Sequence, residues 1–241
     1  MKLTIIIPAY NEEKRISGML EDYLATFSRD VEFWVVLNGC RDQTRQVVEA
    51  FASRFANLHF ADIPEAIGKG GAIIEGFRRA SGDVIAYVDA DGSTQANELR
   101  RLIGEMGDAD GVIASRWIAG ATVSNRKSVM RKIGSRGFHF FIKLLFVLPY
   151  HDTQCGAKIF RASAISRILP HLHVTDMAFD VDLLYWVHRM NFRIREIPTV
   201  WEDQEGSATL GNPVIFVKAS WKMVRSVVRL RLKHSPFAVF L

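Results

Sequence analysis

Short, almost wholly apolar runs alternate with longer segments of helical type through the first half of this chain. Runs that are apolar on both faces are typical of a sheet covered by helices on both sides. The pattern predicts an α/β fold built on a doubly wound, mostly parallel sheet flanked by helices. The predicted strands are Leu3–Ile7, Phe33–Leu37, Leu58–Ala61, Val84–Val88 and Gly111–Ala114, and the predicted helices are Glu12–Phe27, Asp42–Phe55, Gly70–Ala80 and Gln95–Met106.

The fourth predicted strand ends in two carboxylates one residue apart, Asp89 and Asp91, followed by Gly92. Residues two apart on an extended segment point to the same side, so the two carboxylates can converge. Paired hard oxygen ligands suit a divalent cation that a diphosphate also holds. The carboxyl edge of an open α/β sheet is where ligands bind. The alternative is that the two acids only form the turn before the next helix.

The loops after the other strands carry polar residues and glycines. The segment from Pro8 to Glu13 lacks the Gly-x-Gly-x-x-Gly of a dinucleotide fold, which argues against a dehydrogenase. The segment from Asn38 to Thr44 is rich in turn formers and can cap a helix. Gly68-Lys69-Gly70-Gly71 brings one cation and bare backbone together, which predicts an anion contact, although it is not a P-loop. A flexible helix start explains the same four residues.

Charge and cysteine content limit the class of protein. The formal net charge of +5 and a pI near 9.3 suit an anionic partner. The two cysteines, Cys40 and Cys155, have neither disulfide-framework nor zinc spacing, which favours a reducing compartment. No apolar run approaches the roughly 18–20 residues that span a bilayer. We expect a cytoplasmic protein that binds a membrane peripherally, on its cytoplasmic face.

A second phosphate site is predicted after the fifth strand. Arg116 follows that strand, and a basic segment, 126–136, comes soon after it. If this segment is helical, Lys127, Arg131 and Ser135 share one face. Arg116, Arg131 and Ser135 could then gather around a phosphate distinct from that of the first site, because the planar guanidinium suits phosphate. The alternative is a solvated basic face.

Two segments have the character of membrane-surface helices. The run 137–149 is apolar, too short to cross a bilayer, and carries Lys143 in its middle. Near the C-terminus, a basic stripe lies beside an apolar line, which is typical of a helix attracted to anionic lipid. The stripe is Lys218, Lys222, Arg225, Arg229 and Lys233, and the line is Val217, Trp221, Val224, Val228 and Leu232. Packing of both segments on the core is the competing interpretation. The division predicted is a catalytic domain, 1–210, and a basic amphipathic membrane-surface segment, 211–241.

The three loops and the Asp-x-Asp together resemble those of family 2 inverting glycosyltransferases, which have the GT-A fold. The resemblance implies that Asp89 and Asp91 hold Mg²⁺ or Mn²⁺ against a nucleotide diphosphate. It also implies a set of nucleotide-sugar contacts. These are Pro8, Ala9, Tyr10, Glu12, Asn38, Lys69, Asp89, Ala90 and Asp91. Asn38 departs from the Asp that the family usually has, so the identity of the base stays open.

Motifs in the second half resemble those of dolichyl-phosphate β-glucosyltransferases and their polyprenyl-phosphate relatives. They are the segments 137–140, 151–160, 172–174, 178–185 and 200–207. The resemblance implies transfer of a hexose from a nucleotide sugar to a polyprenyl or dolichyl phosphate, with UDP-glucose favoured and GDP-mannose still possible. Asp182 stands where those enzymes usually have Glu, and Ala208 where they often have a basic residue.

The acceptor decides which side chains the reaction needs. A phosphate monoester is largely anionic at neutral pH, so it needs cations such as Arg116 and Arg131 rather than a general base. Asp180 lies where related enzymes that glycosylate hydroxyls place their base, and we expect it to orient the donor sugar or the acceptor. Asp152, Gln154 and Cys155 are expected to shape the sugar pocket. Trp201 is expected to stack on the sugar or to anchor a lid formed by residues 202–207.

Three other functions share some of these sequence features. A glycosyltransferase acting on a glycan hydroxyl would depend on Asp180 as a base and little on Arg131. A nucleic-acid-binding module would interleave its basic residues with exposed aromatic residues, whereas here they flank apolar faces, so no nucleic-acid partner is expected. A sugar-1-phosphate nucleotidyltransferase needs a glycine-rich loop with Arg near the N-terminus, which the segment from Pro8 to Glu13 lacks.

Overall fold

A computed structural model of the chain describes residues 2–124, 141–143, 145–202 and 213–233, and in the last range the side chains of 221 and 223–232. Several predicted features lie outside the described residues. They are Lys127, Arg131 and Ser135 with the rest of the basic segment, residues 137–140 and 144 of the apolar run, residues 203–207 of the proposed lid, and the side chains of Val217, Lys218, Lys222 and Lys233.

The described chain is a mixed α/β structure in which strands and helices alternate. The strands are β1 (Leu3–Ala9), β2 (Glu32–Asn38), β3 (Leu58–Ile63), β4 (Val84–Tyr87), β5 (Gly111–Ser115), β6 (Thr122–Ser124), β7 (Lys158–Arg161), β8 (Ile194–Pro198) and β9 (Val200–Glu202). The helices are α1 (Ile16–Thr26), α2 (Thr44–Ala52), α3 (Gly68–Arg79), α4 (Ala96–Gly104), α5 (Ala162–Ile168), α6 (Phe179–Arg189) and α7 (Pro213–Lys233). The five predicted strands and four predicted helices are confirmed, with ends that differ by a few residues.

The main sheet has seven strands in the order β3-β2-β1-β4-β7-β5-β8. Only β7 runs antiparallel to its neighbours, β4 and β5; the other pairings in this sheet are parallel. A second, two-stranded parallel sheet joins β6 to β9. The prediction of a mostly parallel sheet flanked by helices is therefore confirmed.

Helices cover both faces of the main sheet. Alternate residues of a strand point to opposite faces, so neighbouring residues of one strand pack against different helices. Ile5 and Ile7 of β1 pack in a core cluster that includes residues of α1, α2 and α4. Ile6, between them, packs in a second cluster that includes residues of α3, α6 and α7. All three isoleucines are fully buried. This two-sided burial explains why the strands are continuous apolar runs.

Helix α7 packs one face on the second cluster and leaves another apolar line in solvent. Val227 and Leu230 are buried in the cluster. Trp221, Val228 and Leu232 are 71%, 36% and 39% exposed. At about 100° per residue these three lie on the side of the helix opposite to the buried pair. In the described part of the chain, no helix is long and apolar enough to cross a bilayer.

Candidate active site

The predicted donor-site residues meet at one edge of the main sheet. Strands β1, β2 and β4 are parallel neighbours, so their carboxyl ends lie side by side. Pro8 and Ala9 belong to the end of β1, and Tyr10 follows it with 43% of its surface exposed. Asn38 closes β2. The edge is the expected ligand-binding edge of an open α/β sheet.

Asp89 and Asp91 follow β4 directly. Val88 and Ala90 are buried in the first core cluster, so the two aspartates alternate with residues that anchor the segment. The Asp91 carboxylate accepts a hydrogen bond from the Ser93 N–H at 2.9 Å. Burial, and then repulsion from Asp89, raises the pKa of Asp91. Two carboxylates that repel each other in a partly desolvated site are stabilised by a cation.

Lys69, the second residue of α3, supplies one such cation. Its Nζ lies 2.7 Å from Asp89 Oδ1 and 3.7 Å from Asp180 Oδ2. Although burial alone would lower the pKa of Lys69, the carboxylates of Asp89 and Asp180 raise it above its usual value. Lys69 is therefore a fixed positive charge between the buried Asp180 and the partly exposed Asp89 of the Asp-x-Asp.

Arg15 is a second cation at the same edge, which sequence reasoning missed. Its Nε and Nη2 lie 2.7 and 2.6 Å from the two carboxylate oxygens of Glu12. Its Nη1 lies 4.0 Å from Asp91 Oδ2. Burial raises the pKa of Glu12 despite the Arg15 guanidinium. The sequence spacing could have indicated this ion pair, since Arg15 stands three residues after Glu12 at the start of a helix.

The acidic pair fits a divalent cation that is shared with a ligand. Among the described residues, no group of three or more His, Cys, Asp or Glu side chains could hold a metal ion. Asp89 and Asp91 would therefore supply two oxygen ligands, and a diphosphate and water would supply the others. Mg²⁺ is commonly bound in this way, through one or two carboxylates plus substrate phosphates.

Asp180 lies at the start of α6 and is almost fully buried. Its Oδ1 accepts hydrogen bonds from Tyr87 Oη and Lys158 Nζ, both at 2.6 Å. Burial alone would raise the pKa of Asp180, but the ammonium groups of Lys158 and Lys69 lower it below its usual value. An ionised, ion-paired carboxylate is a poor proton acceptor. Sequence reasoning missed Tyr87 and Lys158.

Arg116 is paired with Asp152 inside the protein. Arg116 Nε and Nη2 lie 2.7 and 3.0 Å from the two carboxylate oxygens of Asp152, and the Arg116 N–H donates to Asp152 Oδ2 at 3.0 Å. The guanidinium also lies over the Trp201 ring, 5.2 Å from its centroid. Although burial alone would raise the pKa of Asp152, the guanidinium holds it low. Arg116, Asp152 and Trp201, predicted for two different subsites, thus form one contact group.

Gln154 and Cys155 follow Asp152 in a loop near the same edge. The Gln154 N–H donates to Asp152 Oδ1 at 3.1 Å. Within the described part of the chain, the buried Nε2 of Gln154 has no hydrogen-bond partner. A buried amide without a partner is costly, so it favours a ligand contact there. The Cys155 side chain is fully buried in the first core cluster, where it packs as a small apolar residue.

The glycines around Lys69 serve protein packing. The Gly68 N–H donates to Asn38 Oδ1 at 3.2 Å, and the Gly71 N–H donates to the Thr175 carbonyl at 3.0 Å. A Cβ on Gly68 would lie 2.3 Å from that carbonyl oxygen. Two of the backbone donors suggested for anion binding are therefore used inside the fold. Asn38, 5% exposed, holds the start of α3 with its side-chain oxygen.

Comparison with known proteins agrees with this geometry. The family model for glycosyl transferase family 2 matches residues 4–169. The chain belongs to glycosyltransferase family 2. It is 31% identical over 248 residues to the dolichyl-phosphate beta-glucosyltransferase of Dictyostelium discoideum, with 96% of this chain and 74% of that one covered. It is 33% identical over 223 residues to the human protein of the same name, with 86% and 69% covered.

Solved structures share the fold of this family 2 chain. Glucosyl-3-phosphoglycerate synthase from Mycobacterium tuberculosis, in complex with UDP, superposes with a TM-score of 0.72 at 14% identity, covering 95% of this chain and 80% of that one. Staphylococcus aureus TarS, in complex with UDP-GlcNAc, superposes with a TM-score of 0.61 at 19% identity, covering 99% and 69%. The predicted GT-A fold is therefore confirmed.

Proposed function

We propose that this glycosyltransferase moves glucose from UDP-glucose to a polyprenyl or dolichyl phosphate, with inversion, at the surface of a membrane. The observation that carries the proposal is the likeness, over 96% of the chain, to an enzyme named dolichyl-phosphate beta-glucosyltransferase. An oxygen of the acceptor phosphate forms the new bond to the sugar C1, while the bond from C1 to the diphosphate breaks and UDP leaves.

The donor site supports a nucleotide diphosphate. Asp89 and Asp91 would hold Mg²⁺ or Mn²⁺, and a cation bound there neutralises charge that develops on the leaving diphosphate. Lys69 and Arg15 add fixed positive charge beside the two aspartates. Structures of the same fold bind this kind of ligand, since glucosyl-3-phosphoglycerate synthase was solved with Mn²⁺, UDP-glucose and phosphoglyceric acid.

The environment of Asp180 favours a phosphate acceptor over a hydroxyl. A hydroxyl acceptor needs a carboxylate that takes a proton. Asp180 is held ionised by two lysines, with a lowered pKa, so it is unsuited to that task. A phosphate acceptor needs positive charge instead. Arg116, together with Arg131 and Ser135 outside the described residues, stays the predicted acceptor set, although the Arg116 side chain already binds Asp152.

Helix α7 supports action at a membrane. Its exposed line of Trp221, Val228 and Leu232 lies opposite to the face that packs on the core. Arg225, Arg229 and Arg231 are exposed on the same helix. Apolar side chains flanked by arginines favour binding to anionic lipid headgroups. We therefore propose peripheral attachment to the cytoplasmic face, where a long-chain phosphate acceptor presents its head.

The test is transfer from radiolabelled UDP-glucose or GDP-mannose to a short polyprenyl phosphate, with and without Mn²⁺. We expect metal-dependent transfer with UDP-glucose. Asp91→Ala should lower kcat by at least about a hundredfold, since it removes a ligand of the cation that stabilises the leaving group.

The matched control is Asp108→Ala, because the Asp108 side chain is 88% exposed and pairs only with Arg193 among the described ion pairs. This variant should transfer at the wild-type rate. Transfer by Asp91→Ala at the wild-type rate, or transfer only with GDP-mannose, would contradict the corresponding part of the proposal. Transfer to a glycan hydroxyl but not to polyprenyl phosphate would overturn the acceptor.

A further inference from the structure

Lys158 is a charged side chain in the middle of the main sheet. It is the first residue of β7, pairs with Tyr87 of β4 and Ile113 of β5, and is fully buried. Burying an ammonium group is unfavourable unless it is paired and hydrogen-bonded. An apolar residue of similar size would satisfy the packing. The presence of a lysine at position 158 therefore indicates a role other than packing.

The ammonium group of Lys158 contacts a carboxylate, a backbone carbonyl and an aromatic ring. It donates to Asp180 Oδ1 and to the Cys155 carbonyl, both at 2.6 Å. It also lies 5.5 Å from the centroid of the Tyr87 ring, within the range of a cation–π contact. The group thus joins α6, β4 and the loop before β7.

These contacts divide the two oxygens of Asp180 between different tasks. Oδ1 receives both Lys158 and the Tyr87 hydroxyl. Oδ2 faces the Lys69 ammonium at 3.7 Å, and that ammonium reaches Asp89 at 2.7 Å. A carboxylate held through one oxygen by two donors cannot rotate freely, so Oδ2 keeps its direction toward the donor site.

The same ammonium group also holds the backbone at Cys155 and Gly156, which packs against Asp89. By binding the Cys155 carbonyl, Lys158 fixes the backbone that leads into Gly156. Gly156 is so close to Asp89 that an added Cβ would lie 2.0 Å from Asp89 Oδ2. The buried ammonium group therefore binds Asp180 directly and also holds the backbone segment that packs against Asp89.

We propose that Lys158 is a positioning residue for the transfer reaction. It holds Asp180 ionised, with Oδ2 directed at Lys69 and the bound sugar, and it fixes the backbone that backs Asp89. The proposal rests on the proposed function, because the reaction it serves is sugar transfer. Tyr87 assists by donating to the same oxygen of Asp180.

The experiment compares Lys158→Met with the wild type. Methionine fills a similar volume without charge, so the pKa of Asp180 should rise once its nearest cation is gone. We expect kcat for transfer to fall at least about tenfold, and the acid limb of the kcat–pH profile to move to higher pH. The KM for the acceptor phosphate should change less than twofold, because Lys158 is not placed at the acceptor.

Two further variants separate positioning from folding. Tyr87→Phe keeps the ring and removes only the hydroxyl that binds Asp180, so it should shift the acid limb in the same direction by a smaller amount. Arg161→Met, at the other end of β7, removes a cation that binds only the carbonyls of Ala109 and Gly107 in its described hydrogen bonds. It should lower the melting temperature and leave the acid limb of the profile in place.

A readout without turnover separates failure of this inference from failure of the proposed function. The side-chain ¹³C resonance of Asp180 can be titrated in the wild type, Lys158→Met and Tyr87→Phe, and it reports ionisation of Asp180 directly. If the wild type does not transfer glucose to polyprenyl phosphate, the proposed function fails. If the wild type transfers but folded Lys158→Met keeps the wild-type kcat and titration, the role of Lys158 is overturned. If Lys158→Met does not fold, wild-type behaviour of Tyr87→Phe overturns it.

Discussion

At the scale of single residues, Gly156 is the position where one added carbon should matter most to the site. An alanine Cβ would lie 2.0 Å from Asp89 Oδ2 and 2.4 Å from its carboxyl carbon. The aspartate must therefore move, because no real Cβ contact is so short. A displacement of about 1 Å in a reacting site can lower the rate about a hundredfold.

We expect Gly156→Ala to lower kcat/KM for the nucleotide sugar at least about tenfold while the protein still folds. The control is Gly18→Ala in α1, where an added Cβ meets nothing within 4 Å. That change should leave activity unaltered and stabilise the protein by about 0.5–1 kcal/mol, since alanine is the better helix former. Steady-state kinetics and thermal unfolding of both variants check this, and equal kinetics for both would contradict the role given to Gly156.

Individual site residues could be predicted from the sequence where their position follows from the pattern of the neighbouring residues. Asp89 and Asp91 stand at the end of an apolar run, and Lys69 stands at the start of a helix, so both positions follow from local pattern. Lys158 and Tyr87 are brought together at Asp180 by the pairing of β4 with β7, although they are 71 positions apart in the sequence. A contact of this kind leaves no local pattern.

At the scale of elements, β7 is the strand of the central sheet that the hydrophobic pattern could least reveal, and β6, β8 and β9 were not predicted either. Its four residues, Lys158–Arg161, begin and end with cations, and its antiparallel direction breaks the alternation of strand and helix. Most of the strands that were predicted, such as β1, β4 and β5, are almost wholly buried apolar runs. Strand β7 is largely buried as well, but Lys158 is satisfied by ion pairing and the Arg161 side chain by carbonyl groups.

The glycine-rich start of α3 shows how one pattern can have two physical causes. Bare backbone suits a bound anion, and it also suits close packing of another segment. Here a Cβ on Gly70 would lie 2.5 Å from Phe179 Cβ and 2.6 Å from the Val174 carbonyl oxygen. The sequence could not distinguish the two causes, because the segment that approaches α3 lies about a hundred residues further along the chain.

The exposed apolar line of α7 leads to a prediction about lipid binding. Trp221→Ala removes the most exposed apolar side chain of the line described above, 71% exposed. We expect at least about tenfold weaker binding to anionic vesicles, because burying a large apolar side chain contributes about 1.5–3 kcal/mol. Sedimentation with phosphatidylserine vesicles measures this.

The control for α7 is Val200→Ala on β9, where the side chain is 47% exposed. It should bind vesicles as the wild type does. Unchanged vesicle binding of Trp221→Ala would mean that this line does not contact lipid.

At the scale of the whole molecule, acid stability should depend on the buried pair of Arg116 and Asp152. Asp152 is 1% exposed, and in the folded state its pKa is lowered. A carboxyl with a lowered folded pKa contributes stability above its unfolded pKa, about 3.9. That contribution is lost as the pH falls through the lower, folded pKa.

Asp152→Asn should therefore lower the free energy of unfolding by about 3 kcal/mol near pH 7, because it leaves a buried guanidinium without its counter-charge. The difference from the wild type should shrink below about pH 4. Urea unfolding between pH 2 and pH 7 measures both curves. A difference that stays constant across this range would show that charge pairing is not its cause.

The short segment between Leu172 and α6 is hydrogen-bonded to three helices, α3, α6 and α7. Its Thr175 carbonyl accepts from Gly71 of α3, its Asp176 accepts from the Ala178 N–H at the head of α6, and the other oxygen of Asp176 accepts from Ser226 of α7. This segment therefore connects α7 to the first turns of α3 and α6, which carry Lys69 and Asp180. Under the proposed attachment to a membrane, the same hydrogen bonds would connect the lipid-bound helix to the residues of the proposed nucleotide-sugar site.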